Sequence, residues 1–364
     1  MSRAVVTGLG CVGPTGLGVD RLPDAMDAGR PLGSVEPVGA PRGRRREMRV
    51  ARIAPFDREP FIPARKLRRM DEVSQVWTVT CMLALADAGL DDLQPDKALY
   101  RPEDRATFLG TGFGCVAATW EYLTELTTDG AAMANPFLFS ESVANAPAGH
   151  SAIEMNARGP NCTLTCADAS AVAAVAAGAR SIQDGRAEMA VCGGLELLPS
   201  PAIDALAALG APGFVGEGSV ALILESLESA RSRGARIHAE IAGQASASDP
   251  RCGPWEWSLD ADRMSRVLTG AARRGGGRSV RKVFLHAGGF PPAEAAEDRA
   301  AAASFPGVPV VRPARVFGGM VSAAFSLALG VLDSSRQAPE ESVVVSAWAW
   351  GGGLYSVALS GAPD

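Results

Sequence analysis

The side chains able to do nucleophilic or acid–base work are few in this chain of 364 residues: three histidines, His150, His238 and His286, and seven cysteines, Cys11, Cys81, Cys115, Cys162, Cys166, Cys192 and Cys252. No two cysteines form a Cys-x-x-Cys pair, so a tetrahedral zinc site has little to be built from and no metal is expected. An odd number of cysteines scattered through apolar and glycine-rich sequence reads as reduced thiols. One stretch combines a thiol and a carboxylate at the start of a long Ala-rich helix: TCADASA, with Cys166 and Asp168 two residues apart. A helix N-terminus lowers the pKa of a thiol and steadies a carboxylate, so both are candidates for chemistry or for capping. The glycines of RRGGGRSVRK, from Arg273 to Lys282, do not follow a strand as a phosphate-cradling loop requires, and no cofactor is expected.

The elements that must position these groups alternate between two periodicities. AVVTGLG, from Ala4 to Gly10, is a β-branched run ending in glycines, as a buried strand would be, and DEVSQVWTVTCMLALADAGL starts with an acidic cap and stops at Gly89, as a helix should. RATFLGTGFG, MAVCGG, VALILES, ARIHAEIAG, RKVFLHAGG and SVVVSAWAW read as further strands; CVAATWEYLTEL, ADASAVAAVAAGARSIQDG and SAAFSLALGVL read as helices. The alternation predicts an α/β fold with sheets covered on both faces. No internal repeat is visible, although the two halves could be a divergent duplication. Two basic stretches, Pro41 to Arg52 and Ala64 to Met70, read as solvated loop or helix faces. The composition is 47% hydrophobic with a net charge of -5, which favours a compact soluble protein and gives no support for nucleic acid or membrane partners. The start MSRAVVTGLG lacks a signal-peptide pattern, and a cytoplasmic protein is expected.

Several segments, in order, resemble the ketosynthase branch of the thiolase fold: VVTGLGCVGPTGLG at the start, LRRMDEVSQ followed by ALADAGL, then NAPAGHSAIEMNARGPN, QDGRAEMAVCGGLE and GFVGEGSVALILES. The resemblance implies two pseudo-duplicated α/β halves, residues 1–231 and 232–364, in a five-layered α-β-α-β-α sandwich that dimerises through its first half. It also locates the family's reactive residues. The family nucleophile is a cysteine in a run such as T-A-C-S-S-G; counting from Gly159–Asn161 on one side and back from Gly193 and Gly194 on the other puts Asp168 in its place. The histidine of N-A-H-G-T-G-T-P falls on Gly288 in HAGGFPP. The histidine of K-S-x-x-G-H falls on Gly319 in ARVFGGMVSAAF, with Ala314 replacing the lysine. Glycines supply no donors to a developing enolate, so none of the usual side-chain chemistry remains and no catalytic residue is expected.

The same comparison places Trp350 on the family's phenylalanine gate, ahead of Gly351–Gly353, where it would plug the volume left by the missing imidazoles. Asp168 would act as a helix cap. Cys166 and His286 each stand two residues before a family position, and a shift of about 6.6 Å along a strand would draw them back into the sheet as core residues. The linker from Leu195 to Glu217 is shorter than the loop that covers the entrance in active ketosynthases.

Loss of every reactive group resembles the chain length factor, or ketosynthase β, of type II polyketide synthases, although that subunit commonly carries glutamine where Asp168 stands. The implied function is a partner without catalysis of its own, one subunit of a β-ketoacyl synthase complex. It would heterodimerise with an active ketosynthase and set polyketide chain length by closing its acyl tunnel. Phe113, Val116, Thr119, Trp120 and Leu123 match the tunnel-closing helix, with 113, 116, 120 and 123 on one helical face; the same spacing also describes an ordinary apolar core face. Arg44, Arg45, Arg46, Arg68 and Arg69 would meet the acidic acyl carrier protein or the partner. The alternatives are an autonomous acyl-transferring or decarboxylating enzyme using Cys166 or Asp168, and a scaffold that recruits acyl carrier protein.

Overall fold

The computed structural model describes residues 2–39, 46–90, 99–210 and 213–363. Ten strands form the body of one mixed sheet: β1 (Ala4–Gly13), β2 (Arg105–Gly110), β3 (Asn161–Leu164), β4 (Met189–Glu196), β5 (Gly218–Ser226), β6 (Ala239–Ser248), β7 (Ser279–Phe284), β8 (Val310–Val311), β9 (Glu341–Trp348) and β10 (Gly353–Ser360). Their spatial order is β8-β7-β9-β10-β6-β1-β5-β4-β2-β3. Read outward from the centre, β1-β5-β4-β2-β3 and β6-β10-β9-β7-β8 are the same arrangement met twice in the same chain order. The two halves join where β1 and β6 pair antiparallel at Val5↔Glu240 and Val6↔Ala239.

The helices that matter here are α1 (Glu72–Asp87), α2 (Val116–Thr128), α3 (Pro136–Glu141), α4 (Ala146–Glu154), α5 (Ser170–Gln183), α6 (Ala261–Arg274), α7 (Pro291–Ser304) and α8 (Ser322–Ser334). Helices α5 and α8 touch each other and strands of both half-sheets; α1 covers β1, β5 and β4 from outside, and α6 with α7 covers the other half. Five layers result, α-β-α-β-α. The sequence accounts for this layering. Every residue of β1 and β5 is buried, as strands covered on both faces require. Helix α8 is buried nearly all round by SAAFSLALGVL, because it faces sheet on two sides. On the outer layer, Gly8 and Gly10 let α1 lie directly on β1: a Cβ on either would come within 2.2 Å of the carbonyl oxygens of Ala84 and Thr80.

A second sheet of four short strands runs Gly319–Met320, Phe214–Gly216, Arg46–Ala51, Ser34–Val38. It corrects the reading of Pro41 to Arg52 as a solvated loop or helix face, since Arg46–Ala51 is a strand with Met48, Val50 and Ala51 buried. Arg52 is held between Glu36 and Glu217 rather than left in solvent. The Leu195–Glu217 linker contains its own helix, Ser200–Ala208, whose Ile203, Leu206 and Ala207 pack on this small sheet. Helices α4 and α7 are not legible as such: each has proline in its first turn, and one is short while the other is rich in alanine and charge. Among the described residues no helix is long and apolar enough to cross a membrane, and all seven cysteines are free.

The contact between α5 and the first half-sheet is tight at one glycine. A Cβ on Gly178 would lie 2.0 Å from Cys192 Sγ on β4. Gly178→Ala is therefore expected to lower stability by about 1–3 kcal/mol despite the better helix propensity of alanine. Adding Cys192→Ala should return most of that loss. Denaturant unfolding of the single and double variants measures it.

Candidate functional site

Strand β3 leads through Cys166 into a tight turn, Ala167–Ala169, and then into α5. The turn is forced by backbone geometry: Ala167 has φ +44°, a left-handed conformation unusual for alanine. It is clamped by Ser170, whose Oγ accepts from Cys166 N–H at 2.8 Å and donates to the Ala167 carbonyl at 2.6 Å. This clamp turns the Asp168 side chain inward, where the residue is 3% exposed.

Asp168 does not cap α5, contrary to the expectation from its position; no side chain caps that helix. Instead Asp168 Oδ2 lies 3.1 Å from His286 Nε2, and His286 Nδ1 lies 2.8 Å from Ser322 Oγ at the first turn of α8. In the neutral tautomer with Nε2 protonated, Nε2–H donates to Asp168 and Nδ1 accepts from the serine hydroxyl. His286 stands just past β7, where its backbone N–H and that of Ala287 donate to buried Glu297 at 3.2 and 3.0 Å, and Glu297 is ion-paired with Arg312. His286 is thus a buried, hydrogen-bonded histidine, and its partners are Asp168 and Ser322. Cys166 is less buried than a core hydrophobe, with its Sγ 3.6 Å from the Tyr355 hydroxyl, which burial and the nearby thiol push up to about 12.

The volume expected beside Gly288 has closed, whereas Gly319 has room for a Cβ. A Cβ on Gly288 would stand 2.5 Å from Ala314 Cβ, so the position has no room for any side chain. At Gly319 the nearest atom to a Cβ would be Phe214 O at 3.6 Å. What remains around Asp168, His286, Gly288, Gly319 and Trp350 is a void of about 10 Å³, with another of about 10 Å³ on the far side of Asp168. Trp350 walls the first of these and packs on Trp257 and Trp255, with ring centroids 6.3 and 5.8 Å away. Asp168 Oδ1 has no partner among the described residues.

Glu196, at the end of β4, has no local sequence signal that marks it as a site residue. It is fully buried and accepts from Thr111 Oγ1 at 2.6 Å, Gly112 N–H at 2.6 Å and Phe113 N–H at 3.2 Å. Burial, with a contribution from the Asp168 charge, outweighs these donors and pushes its carboxyl up to about 7. Through these bonds Glu196 fixes the TGFG turn ahead of α2.

That turn alters the predicted tunnel face. Phe113 precedes α2, which starts at Val116, so 113, 116, 120 and 123 are not one helical stripe. Phe113 is half-buried beside the cluster of Leu198, Ile203 and Met320. Trp120 is 60% exposed and Leu123 49%, which overturns their reading as core. Thr119 Oγ1 ties α2 to the Ser142 carbonyl at 2.9 Å. Phe139, Val143 and Ile153 are further exposed apolar residues, of α3, the segment after it and α4. Arg68 and Arg69 are exposed, Arg46 donates to the Ala207 carbonyl at 2.9 Å, and Arg44 and Arg45 lie outside the described residues. Among the described residues no cluster of three His, Cys, Asp or Glu side chains could hold a metal.

A turn from strand to helix at the interface of two duplicated half-sheets, facing the ends of β7 and α8, is the arrangement of condensing enzymes. Residues 1–230 match the β-ketoacyl synthase N-terminal domain, and the chain belongs to the β-ketoacyl synthase family. The 3-oxoacyl-[acyl-carrier-protein] synthase 2 of Synechocystis sp. is 30% identical over 272 residues, covering 68% of this chain and 63% of that protein. The tetracenomycin polyketide synthase ketoacyl synthase alpha subunit of Streptomyces glaucescens is 30% identical over 276 residues, with coverage of 68% and 63%. The chain therefore spans 63% of the length of these relatives. The solved ishigamide ketosynthase/chain length factor superposes with TM-score 0.84 at 22% identity over 100% of both chains, and shares the thiolase-like fold.

Two outcomes follow from the buried groups. Asp168→Ala leaves the His286 N–H buried without an acceptor and is expected to cost about 1–3 kcal/mol, whereas Asp168→Asn, which keeps an acceptor oxygen, should cost less than half of that. Urea unfolding separates them. For Glu196, the folded-state pKa of about 7 lies above the unfolded value of 4.5, so its stabilising contribution is complete below pH 4.5 and is lost as pH rises through 7. Relative to Glu196→Gln, the native chain should lose roughly 2–3 kcal/mol between about pH 5 and pH 7.5, read from unfolding free energies at the two pH values.

Proposed function

We propose that this protein is the non-catalytic, chain-length-setting partner of an active ketosynthase. The observation that carries the reading is the closed centre: Asp168 stands where the family has its nucleophile, engaged with His286 at 3.1 Å, in a void of about 10 Å³ that admits no acyl chain. A carboxylate there is a poor acyl carrier, because a mixed anhydride is far more labile than a thioester. The exposed apolar side chains Trp120, Leu123, Phe139, Val143 and Ile153 on the first half support a protein partner there. So does β3, an edge strand paired only with β2. In such a heterodimer Trp120, Leu123 and the neighbouring Phe113, Val116 and Thr119 would bound the partner's acyl tunnel, Trp350 would plug this chain's own entrance, and Arg46, Arg68 and Arg69 would meet the acidic carrier protein.

The second reading, an acyl-transferring enzyme in its own right, is favoured by the matched relatives, which are named as synthases, and by the Asp168–His286–Ser322 chain. One experiment separates the two. The chain is co-expressed with an intact ketosynthase encoded beside its gene, and each protein and the complex are incubated with malonyl- and acyl-carrier-protein substrates. Intact mass spectrometry should find a one-to-one complex, acyl adducts on the ketosynthase alone, and a longer product when Trp120→Ala is used. Trp120 is exposed in the single chain, so its truncation costs little folding stability. A stoichiometric adduct on this chain that Cys166→Ala or Asp168→Asn abolishes establishes the second reading instead.

A further inference from the structure

Outside the closed centre, three tryptophans and a phenylalanine converge on one concavity. Trp255, Trp257, Phe290 and Trp350, with Leu209 and Leu259, line a groove of about 340 Å³. The rings form a connected set: Trp257 meets Phe290 edge-on at 5.1 Å and lies near-parallel to Trp350 at 6.3 Å, and Trp255 stands edge-on to Trp350 at 5.8 Å. Four of the six remain substantially open to solvent, Trp255 at 64%, Leu209 at 50%, Leu259 at 48% and Phe290 at 37%. Exposing this much aromatic surface in one place costs solubility and contributes nothing to the core, whereas a volume in this range suits a drug-sized ligand.

The groove's floor and rim restrict what it can hold. Trp257 and Trp350 separate it from the void at Asp168 and His286, which has no more than about 10 Å³, so an occupant stops at the aromatic wall. Glu256 is the one charged residue of the lining, and the polar recess that adjoins it carries Asp249, Asp260 and Asp262 against Arg251 and Arg299. Arg251 is already paired with Asp249 and Asp260. The surroundings are therefore net negative and repel phosphate and carboxylate groups. Flat aromatic walls favour a rigid ring over a flexible chain of equal area, since stacking adds to burial and little rotamer freedom is lost.

We propose that this groove, on the outer side of the Trp257–Trp350 wall, is a binding site for a neutral, planar, ring-bearing ligand that stops short of Asp168. Its test uses the full chain, isothermal titration calorimetry and the indole N–H resonances of the six tryptophans. Three probes are compared: 2-acetylnaphthalene, 2-naphthoate of the same ring with a negative charge, and decan-2-one as a flexible neutral ketone. Saturable one-site binding of 2-acetylnaphthalene is expected to shift Trp255, Trp257 and Trp350 and leave buried Trp77 and Trp348 unmoved. The other two probes should bind about tenfold or more weakly. The deficit of 2-naphthoate should shrink as salt is raised, because the repulsion is screened. Trp255→Leu, an exposed position whose change spares the core, should weaken 2-acetylnaphthalene by about tenfold. Equal affinity for all three probes, binding indifferent to Trp255→Leu and Phe290→Leu, or shifts confined to exposed Trp120, would overturn the proposal.

Discussion

Two helices buried between two half-sheets impose the constraint from which the rest of this molecule follows. Because α5 and α8 face strands on both sides, each must be small and apolar nearly all round, and the chain meets that demand with SAVAAVAAGARSI and SAAFSLALGVL. The glycine in α5 shows how little slack the layer has, since Cys192 Sγ occupies the space a methyl group would need. The N-termini of both helices emerge at the same end of the sandwich, α5 from the turn at Asp168 and α8 from Ser322. The site is the meeting point of the duplicated halves.

At that meeting point a carboxylate, an imidazole and a hydroxyl meet from three separate segments. The bonds from His286 to Asp168 Oδ2 and Ser322 offset part of the cost of burying them, while Asp168 Oδ1 stays without a partner among the described residues. The surrounding backbone is fixed by other buried groups, Glu297 with Arg312 behind His286 and Glu196 beneath the Gly112–Phe113 turn. Ala314 lies against Gly288, and Trp350 with Trp257 lines the outer side, so little space is left beside Asp168 and His286.

Burial and exposure divide the surface into two regions of different character. The α2–α4 face carries scattered large apolar side chains with the β3 edge beside them, a combination suited to another protein surface. The Trp255–Trp350 groove is concave, aromatic and rimmed by acid, a combination suited to a small uncharged molecule.

The strands and the long helices were legible in the sequence because their signals are local: periodicity, an Asp71 cap confirmed by its 2.8 Å bond from Ser74 N–H, glycine at helix ends. Motif spacing singled out Asp168, Gly288, Gly319 and Trp350, and all four line one small void in the fold. The sequence could not say what Asp168 does. A capping role follows from its position one turn before a helix, but the positive φ of Ala167 turns the side chain toward a histidine 118 residues away in sequence. It also could not separate core from surface on α2, because Trp120 and Leu123 have the same spacing whether they face a sheet or solvent; only the tertiary structure leaves them exposed. The aromatic groove was invisible for the same reason. Trp255, Trp257, Phe290 and Trp350 come from three separate segments, and no local pattern records that folding brings them together.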